Sequence, residues 1–573
     1  MKMVSSASQG AYNNVILEDA VMYLTGAQIV LECLKEHNVD VLFGYPGGAV
    51  IPLYDALYDE RNNFMHIRTA HEQGAVHGAD GYSRSTGKVG VCIATSGPGA
   101  TNTITGIATA YMDSTPLLVI TGQVPSNLLG RDSFQEIDIT GVTIPITKNN
   151  YLVKNVELLA PTLREAFKVA VSDRPGPVLV DITKDVFLSK TEYVKCESEY
   201  KNDSFDLIED DVLKRAAKLI NDSKRPVIYA GGGVKIAKAS DVLIKIAKKA
   251  CIPVVNTLMG LGTIPRNDEL SLGLVGMHGF REANLAVSNS DLLIAIGARF
   301  SDRVVGKNDS FAKKAKIIHI DIDESEFGKN VKPDIYIAGN LKSSLEKLYS
   351  LIEEKDRKSY IEEIRGYAVS NNNDEGSFLP KNIIGILNKK FDENCFVATD
   401  VGQHQMWTAQ HWKFKSERGF ITSGGLGTMG FGLGAAIGCK IGNPDSDVVL
   451  ITGDGSFRMN CNELATVSKY NIPILIVLMN NKTLGMVRQW QRMFSNKRYS
   501  ETDVTDDVDY IKLVNAYGIE GFKVNTLDEL NSIVSKINKL TKPLFIQCDI
   551  EKNESVYPIV PPGMPIENML FEG

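Results

Sequence analysis

The chain has 573 residues, of which 43% are hydrophobic and 23% charged, and its formal net charge at pH 7 is −7. This length exceeds what one hydrophobic core supports, so about three domains are expected. The acidic balance and the lack of a dense Lys/Arg block argue against a nucleic-acid partner, and no apolar run is long enough to span a membrane.

The cysteines and the first residues indicate the compartment. Eight cysteines are scattered without a Cys-x-x-Cys pair, which favours reduced thiols. Residues 1–20 form an N-terminal extension that contains Glu18 and Asp19 and lacks the pattern of a signal or transit peptide. We therefore expect a cytoplasmic protein.

A first domain is expected over residues 21–188. A strand near Met65–Arg68 is followed by a helix that begins around Glu72, and Ser96-Gly97-Pro98-Gly99 predicts a glycine-rich turn after the next strand. Taken alone, Glu72 is an ordinary first-turn carboxylate, since the helix dipole favours negative charge there.

A second domain is expected over residues 206–352, between polar stretches 189–205 and 353–376 that are typical of linkers. Four apolar runs, most of them closed by Gly or Asp, predict the strands of a nucleotide-binding α/β domain. Gly231-Gly-Gly is not a complete dinucleotide fingerprint, however, and strands that end in glycine do not require a nucleotide.

A third domain is expected over residues 377–573, including a C-terminal tail. The apolar runs 448–452 and 472–479 predict two buried parallel strands, with one helix between them from Ser456 to about Tyr470. The carboxyl ends of such strands meet at one sheet edge, where ligands bind and helix N-termini attract anions.

Two polar motifs fall at that edge. Gly453-Asp454-Gly455 follows the first strand and Asn480-Asn481 follows the second. Mg²⁺ prefers oxygen ligands and takes few carboxylates when phosphate supplies the others. Asp454 and Asn481 therefore predict a site for Mg²⁺ and a diphosphate.

The first and third domains resemble each other at a constant shift of 357 residues, at which Thr95 falls on Thr452 and Pro116 on Pro473. Each segment contains an apolar strand, a glycine-rich turn, a helix and a second strand, which favours two related doubly wound domains over convergent βαβ geometry. Gly97 stands where Asp454 would be, so the first copy lacks the metal carboxylate.

With these two motifs at this spacing, the chain resembles the thiamine diphosphate enzymes. The resemblance implies three doubly wound α/β domains with mainly parallel sheets, which bind in chain order the pyrimidine, FAD and the diphosphate. It also implies that Glu72 bonds the pyrimidine ring and promotes its proton transfer, and that Thr483 offers a backbone carbonyl to Mg²⁺ beside Asp454 and Asn481.

From Thr25 almost to its end, the chain resembles the acetohydroxyacid synthase (acetolactate synthase) catalytic subunits. The signatures are Tyr45-Pro-Gly-Gly48-Ala, Thr95-Ser-Gly-Pro-Gly-Ala-Thr-Asn102, Gly122-Gln-Val-Pro125, Phe134-Gln135-Glu and Gly485-Met486-Val487-Arg488-Gln489-Trp490. The resemblance implies catalytic-site roles for Glu72, Gly48, Gln135, Lys184, Arg303 and Trp490, with Lys148 and Lys184 beside the channel. Arg303 would bind the second substrate's carboxylate and Trp490 would select its size. Without the resemblance, Gly48 is a tight turn and both lysines are surface residues.

The resemblance also implies the cofactor contacts. Those to thiamine diphosphate and its metal are Gln403, His404, Gly427, Thr428, Met429, Gly453, Asp454, Gly455, Ser456, Asn481, Thr483 and Met486. Those to FAD are Arg174, Gly232, Thr257, Leu258, Gly276, Met277, His278, Gly297, Arg299, Asp321 and Ile322. The family more often has Asp at position 301 and Pro at position 434, where this chain has Ser301 and Gly434.

The implied reaction is decarboxylation of pyruvate on thiamine diphosphate and transfer of the hydroxyethyl carbanion to a second 2-keto acid, pyruvate or 2-oxobutyrate, in branched-chain amino-acid biosynthesis. A homodimer or tetramer and a small regulatory subunit are implied as well. Three alternatives stay open: a pyruvate oxidase-type flavoenzyme, a flavin-free catabolic acetolactate synthase and a non-catalytic cofactor-binding scaffold. Gln489-Trp490 disfavours the first, Gly297–Arg303 the second, and Glu72 together with Asp454 and Asn481 the third.

Overall fold

The computed structural model describes residues 21–196, 209–369, 376–391, 395–504 and 508–571. It contains three six-stranded sheets flanked by helices and one two-stranded antiparallel sheet. Neighbouring strands in all three large sheets are parallel. The predicted α/β fold of three doubly wound domains is confirmed. The expected N-terminal extension lies outside the described residues.

The first domain is built around a sheet whose strands order as β3-β2-β4-β5-β7-β6, with β1 pairing β8 beside it. Its strands are β1 (Met22–Thr25), β2 (Val41–Gly44), β3 (Met65–Arg68), β4 (Gly90–Ala94), β5 (Leu117–Gln123), β6 (Asn149–Val153), β7 (Pro177–Thr183) and β8 (Lys190–Tyr193). Its helices are α1 (Gly26–Glu36), α2 (Ile51–Asp59), α3 (Glu72–Thr86), α4 (Pro98–Asn102), α5 (Ile104–Asp113), α6 (Ile139–Thr143), α7 (Leu159–Val171) and α8 (Lys184–Leu188). The linker expected from residue 189 thus begins with a strand, because Tyr193 is buried in this domain's core.

The second domain has the strand order β11-β10-β9-β12-β13-β14. Its strands are β9 (Pro226–Ala230), β10 (Val254–Asn256), β11 (Ser271–Leu274), β12 (Leu292–Ile296), β13 (Lys316–Asp321) and β14 (Ile335–Ala338). Its helices are α9 (Asp210–Asp222), α10 (Gly232–Ile236), α11 (Ser240–Ala250), α12 (Arg281–Ser288), α13 (Asp302–Val305), α14 (Leu341–Leu351) and α15 (Lys358–Arg365). Helix α15 lies inside the stretch 353–376 expected to be a linker. It forms because Tyr360, Ile361 and Ile364 share one face and are buried.

The third domain has the strand order β16-β15-β17-β18-β20-β19. Its strands are β15 (Phe396–Thr399), β16 (Phe420–Ile421), β17 (Val448–Gly453), β18 (Leu475–Asn480), β19 (Glu520–Val524) and β20 (Leu544–Asp549). Its helices are α16 (Pro380–Lys390), α17 (Gln403–His411), α18 (Phe431–Gly442), α19 (Asp454–Asn460), α20 (Leu464–Lys469), α21 (Gly485–Phe494), α22 (Tyr510–Ala516) and α23 (Leu527–Val534).

Between β17 and β18 the structure corrects the predicted elements. The single helix expected from Ser456 is two helices, α19 and α20, separated by a 3-10 turn over Cys461–Glu463. The break turns the carboxylate of Glu463 toward the first domain, where it accepts hydrogen bonds from the backbone of Ala70 and His71. Sequence periodicity contains no sign of this contact with another domain.

The order of strands explains the internal similarity. Counted within each large sheet, the first and third domains both have the order 2-1-3-4-6-5, whereas the middle domain has 3-2-1-4-5-6. The second order is that of dinucleotide-binding domains. The predicted relationship between the first and third domains is therefore matched in their topology.

The first and third domains pack through α3 and α18, at a distance that only glycine permits. A Cβ built on Gly438 would lie 1.7 Å from the carbonyl oxygen of Gly78, and one on Gly81 would lie 2.1 Å from that of Ala435. Because both obstacles are backbone atoms, no change of rotamer relieves them. These glycines set the separation of the two domains.

We expect Gly438→Ala to lower the free energy of unfolding by about 2 kcal/mol or more, since the two helices must move apart. The measurement is thermal or denaturant unfolding of the purified chain. Gly385→Ala in α16 is the matched control, because a Cβ there meets nothing within 4 Å. The control should be neutral or stabilising by up to about 1 kcal/mol. Equal effects of the two substitutions would contradict the prediction.

None of the described helices has the length and apolar character needed to cross a membrane. All eight cysteines are free thiols, as their spacing predicts.

Candidate active site

The Gly453-Asp454-Gly455 motif lies at the carboxyl end of β17, and α19 begins at Asp454. The Asp454 carboxylate is buried, and one of its oxygens, Oδ2, has no hydrogen-bond partner among the described residues. Burial raises its pKa to about 6. A desolvated carboxylate oxygen without a partner is costly and suits a cation.

Asn481 and Thr483 lie beside this carboxylate at the end of β18, and both are buried. Asn481 Nδ2 donates to Gln403 Oε1 at 3.3 Å, and Asn481 Oδ1 accepts from the Thr483 amide at 3.2 Å. A carboxylate and a side-chain amide oxygen therefore lie together, and both are hard oxygens of the kind that Mg²⁺ prefers. Groups of three or more His, Cys, Asp or Glu suited to a metal are absent from the described ranges, so a metal site here would rest on this mixed oxygen set.

The segment 401–404 packs against the same edge. His404 is buried, which lowers its pKa to about 3, and its Nε2 has no hydrogen-bond partner in the part of the chain that the structure describes. Ser456 Oγ donates to the Val401 carbonyl at 2.9 Å. Gln403 Nε2 donates to Gln489 Oε1 at 3.0 Å, which ties this segment to α21. A neutral imidazole and fixed amides suit a diphosphate better than apolar side chains would.

The loop Gly424–Met429 lies near both Val401 and the Asp454 motif. Gly427 has a positive φ of 72°, and a Cβ on it would meet only Val401 at 3.9 Å. The Cε of Met429 lies 3.7 Å from the Cβ position of Gly455. Met429 therefore lies beside the Asp454 motif, and the space around Gly427 is open. Thr428, near the end of the loop, is buried, and Met486 lies in α21 against the domain core.

Glu72 lies in the first domain at the N-terminus of α3, after β3. It is buried, and its Oε2 accepts a hydrogen bond of 2.9 Å from Asn102 Nδ2. Thr95 connects this region to the turn at Gly48, since Thr95 Oγ1 accepts from the Ala49 amide at 3.3 Å. The carboxyl ends of β2, β3 and β4 thus bring Gly48, Glu72 and Thr95 together.

Of three further residues predicted to border the active site or its channel, two lie on the same side of the first domain as Glu72 and one does not. Gln135 packs on Gly97, and its φ of 60° is unusual for a side chain larger than glycine. Lys184 begins α8 at the carboxyl end of β7, on the same edge as Glu72. Lys148 does not lie there: it precedes β6 at the amino edge, where its Nζ donates to the carbonyls of Val169 and Ser172. The expectation that Lys148 flanks the channel is wrong, because its ammonium group caps the end of α7 instead.

The predicted FAD residues of the middle domain fall at the carboxyl edge of its sheet. Gly232 follows β9, Thr257 and Leu258 follow β10, Gly276 to His278 follow β11, and Gly297 and Arg299 follow β12. Asp321 is the last residue of β13, and Ile322 follows it. The loops are close, since a Cβ on Gly231 would lie 2.0 Å from the Gly297 carbonyl oxygen. Burial raises the pKa of Asp321 to about 6.

Two arginines connect this edge to the first domain. Arg299 Nη1 donates to the Met112 carbonyl at 2.7 Å. Arg174 donates to Ser114 Oγ at 2.8 Å and pairs with Asp323 and Glu326 at 3.0 and 2.9 Å. Arg174 therefore lies beside the predicted FAD edge, but in this structure its guanidinium serves an interdomain ion pair.

Arg303 and Trp490 come from different domains and meet at a cleft. The Arg303 guanidinium carbon lies 5.5 Å from the Trp490 ring centroid, a cation–π distance, and Arg303 Nη1 lies 3.8 Å from Met277 Sδ. The tail lines the other side, with Val560 donating to the Met277 carbonyl at 2.8 Å. Arg303 is the exposed cation of this cleft, since its nearest carboxylate, Asp302, is 3.7 Å away and also exposed.

Sequence patterns did not single out three buried carboxylates around the site: Asp113, Asp400 and Glu463. Asp400 accepts from the Gly432 amide at 2.9 Å and from Thr452 Oγ1 at 2.8 Å, which joins α18 to β17. Asp113 and Glu463 bond backbone amides of the other domain. Burial raises the pKa of Asp400 and Glu463. Their partners are far away in sequence, so only the folded chain identifies them.

Family models cover the three sheets in turn. Residues 24–142 match the thiamine pyrophosphate enzyme N-terminal TPP binding domain, residues 213–348 the central domain, and residues 400–548 the C-terminal TPP binding domain. The chain belongs to the thiamine pyrophosphate enzyme family. Thiamine pyrophosphate is thiamine diphosphate, so the predicted dependence on this cofactor is confirmed for the family.

Within this family the chain is similar to acetolactate synthase large subunits over nearly its whole length. It is 45% identical over 565 residues to the probable acetolactate synthase large subunit of Methanocaldococcus jannaschii, covering 96% of this chain and 95% of the relative. It is 43% identical over 549 residues to the acetolactate synthase isozyme 2 large subunit of Escherichia coli, covering 96% and 99%. The large subunit of Parasynechococcus marenigrum is 43% identical over 560 residues, covering 95% and 90%. The predicted membership of this branch of thiamine pyrophosphate enzymes is confirmed.

Proposed function

We propose that this chain is the catalytic subunit of an acetolactate synthase, which decarboxylates pyruvate and transfers the resulting two-carbon unit to a second 2-keto acid. The observation that carries the proposal is the contact between Arg303 and Trp490 at the mouth of the cleft. A guanidinium recognises the acceptor's carboxylate and an indole beside it limits the acceptor's side chain. Transfer to a second keto acid requires such an acceptor site, and simple decarboxylation does not.

Asp454, Asn481 and a backbone carbonyl at Thr483 would hold Mg²⁺ and through it the diphosphate. The support is the buried Oδ2 of Asp454 without a partner and the all-oxygen donor set. When bound, thiamine diphosphate supplies the carbanion chemistry. Glu72, buried on the first domain, would hold a proton at the pyrimidine ring, and Gly427 would accept a hydrogen bond from its amino group.

The middle domain would hold FAD. Its strand order, 3-2-1-4-5-6, is that of dinucleotide-binding domains, and its glycines let the loops at the carboxyl edge of the sheet approach each other closely. Bound flavin would argue against the flavin-free catabolic enzyme. The tail and α21, which line the Arg303 cleft, favour the synthase over an oxidase.

A homodimer or tetramer would complete the site. In one chain, Gly48 and Gly427 both face open space: a Cβ on Gly48 meets nothing within 4 Å. Large apolar side chains near them are exposed, with Phe134 at 88% and Met459 at 59%. Such surfaces suit a second copy of the chain. The name "large subunit" of the relatives further supports a small regulatory partner.

The proposed function is tested by aerobic turnover of pyruvate by the purified chain with thiamine diphosphate, Mg²⁺ and FAD. Formation of 2-acetolactate without hydrogen peroxide is expected. Peroxide with acetate or acetyl phosphate would establish the oxidase alternative. No turnover, either alone or with a small subunit supplied, would support the non-catalytic scaffold.

Trp490→Leu is expected to weaken selection of the larger acceptor. In an equimolar mixture of pyruvate and 2-oxobutyrate, the ratio of 2-aceto-2-hydroxybutyrate to 2-acetolactate should fall by about tenfold, the usual scale for a lost apolar specificity contact. Products are quantified by chromatography. Phe494→Leu, one turn along α21 and 5.6 Å from the Trp490 ring, is the control and should leave the ratio unchanged. An unaltered ratio in Trp490→Leu would remove this role.

A further inference from the structure

The loop that carries Gly427, Thr428 and Met429 is held from outside its own domain. At its start, the Gly424 amide donates to Asp113 Oδ2 at 2.9 Å and the Gly425 amide donates to Asp113 Oδ1 at 2.7 Å. Asp113 is the last residue of α5 in the first domain and is buried. One carboxylate of the first domain thus uses both oxygens to fix two consecutive amides of the third.

Arg84 reinforces this attachment from α3. Its Nη1 donates to Asp113 Oδ2 at 3.0 Å and to the Thr422 carbonyl at 2.9 Å. Its other side forms an ion pair with Asp80, one turn earlier in the helix. Arg84, Asp80 and Asp113 are buried, so dissolved salt weakens the attraction between their charges only slightly. The hydrogen bonds between them are charge-assisted.

Two more contacts enclose the loop. Thr109 Oγ1, on α5, lies 2.7 Å from Thr428 Oγ1 at the far end of the loop. A Cβ on Gly424 would lie 2.4 Å from Met259 Sδ of the middle domain, and one on Gly425 would lie 2.9 Å from Asp113 Oδ1. The first half of the loop therefore has no room for side chains and is fixed at both ends by α5.

A glycine-rich segment has many conformations when free, so holding it in one requires compensating bonds. Within the loop itself, Thr428 donates its amide to Ser423 Oγ at 3.0 Å. The bonds that fix Gly424 and Gly425 come from the first domain. The conformation of the loop that faces the cofactor is therefore set by a different domain of the same chain.

We propose that Asp113, supported by Arg84, is a positioning residue for thiamine diphosphate: it holds the Gly424–Met429 loop in the shape that receives the aminopyrimidine, without contacting the cofactor. This inference rests on the proposed function, because it assigns Gly427 and Met429 to that cofactor. It predicts that Asp113, a residue of the first domain, affects the affinity for thiamine diphosphate through a loop of the third domain.

The test uses Asp113→Asn in the full-length chain. Asparagine keeps the shape and one acceptor oxygen but turns an N–H group toward a donor. The concentration of thiamine diphosphate giving half-maximal activity should rise by about tenfold, which corresponds to about 1.4 kcal/mol. The midpoint of thermal unfolding is measured on the same samples without cofactor.

Glu36→Gln is the matched control. Glu36 is also a buried carboxylate of the first domain, and it forms an ion pair with Arg164 at 2.7 Å. It accepts a hydrogen bond from the backbone amide of Cys196. It lies on α1, away from the loop. Its loss should lower the unfolding midpoint as much as Asp113→Asn does, while the half-saturating thiamine diphosphate concentration stays within about twofold of the unmodified chain.

A second variant applies if Asp113→Asn does not accumulate as folded protein. Thr109→Val preserves shape and removes a hydroxyl that lies 2.7 Å from Thr428 Oγ1 and donates to the Thr105 carbonyl at 2.8 Å. It should raise the half-saturating concentration by about threefold, with a smaller fall in the unfolding midpoint than Glu36→Gln gives. Destabilisation in Asp113→Asn with unaltered cofactor affinity would overturn the positioning role. Failure of the unmodified chain to bind thiamine diphosphate would instead overturn the proposed function, and the positioning role with it.

Discussion

Glu72→Gln is expected to lower kcat for acetolactate formation by about 10²- to 10⁴-fold, the range for loss of one general acid–base group. Glutamine keeps the size of the side chain and can still accept the 2.9 Å hydrogen bond from Asn102. It cannot gain and lose a proton. Binding of thiamine diphosphate with Mg²⁺ should therefore stay within about threefold of the unmodified chain, because the diphosphate is held by the third domain.

The measurement pairs steady-state turnover of pyruvate with calorimetric titration of thiamine diphosphate in excess Mg²⁺. Glu157→Gln, an exposed carboxylate of the same domain, serves as the control and should match the unmodified chain in both assays. Turnover that survives in Glu72→Gln would remove Glu72 from catalysis. Loss of cofactor binding together with turnover would assign it a binding role instead.

Asp454→Asn is expected to raise the Mg²⁺ concentration for half-maximal activity by about 100-fold, equivalent to about 2.7 kcal/mol. The carboxylate supplies the negative charge of the proposed metal site, and asparagine offers only a neutral oxygen. Activity measured as a function of Mg²⁺ at saturating thiamine diphosphate reports this change. Asp445→Asn, an exposed aspartate shortly before β17, is the control and should show no shift.

The same substitution has an opposite expected effect on the cofactor-free chain. Burial raises the pKa of Asp454 to about 6, above its usual 3.8, so the folded state binds this proton more tightly than the unfolded state. Its contribution to stability is thus present below about pH 4 and is lost as the pH rises through about 6. At pH 7, cofactor-free Asp454→Asn should unfold at the same or a higher temperature than the unmodified chain. A clear destabilisation at pH 7 would show that the carboxylate is already satisfied without a cation.

The sequence predicted which residues stand at the ends of the strands around the site, because each strand and the motif after it form one short segment. An apolar run followed by Gly453-Asp454-Gly455, and another followed by Asn480-Asn481, fix which residues stand at the carboxyl ends of β17 and β18. The similarity between the first and third domains was accessible for the same reason, since strand, turn and helix recur at a constant shift. The middle-domain glycines followed the ends of their strands as predicted.

Contacts between domains could not be predicted from such local sequence patterns. The break between α19 and α20 accompanies the hydrogen bonds that Glu463 accepts from the amides of Ala70 and His71. Helix α15 forms because Tyr360 and Ile364 pack on the middle domain. Lys148 shows the same limit: its family-based assignment fails because its ammonium group reaches the carbonyls at the end of α7. Each of these depends on a partner that the local pattern does not contain.

The sequence by itself therefore determined the fold class, the family and the residues at the ends of individual strands, because apolar periodicity and motif spacing act within one segment. Only the tertiary structure decided how the segments are held: Gly438 against Gly78, Arg303 over Trp490, and Asp113 on the amides of Gly424 and Gly425. Buried hydrogen bonds and close packing join residues hundreds of positions apart, and their free energy exists only once the domains are in contact.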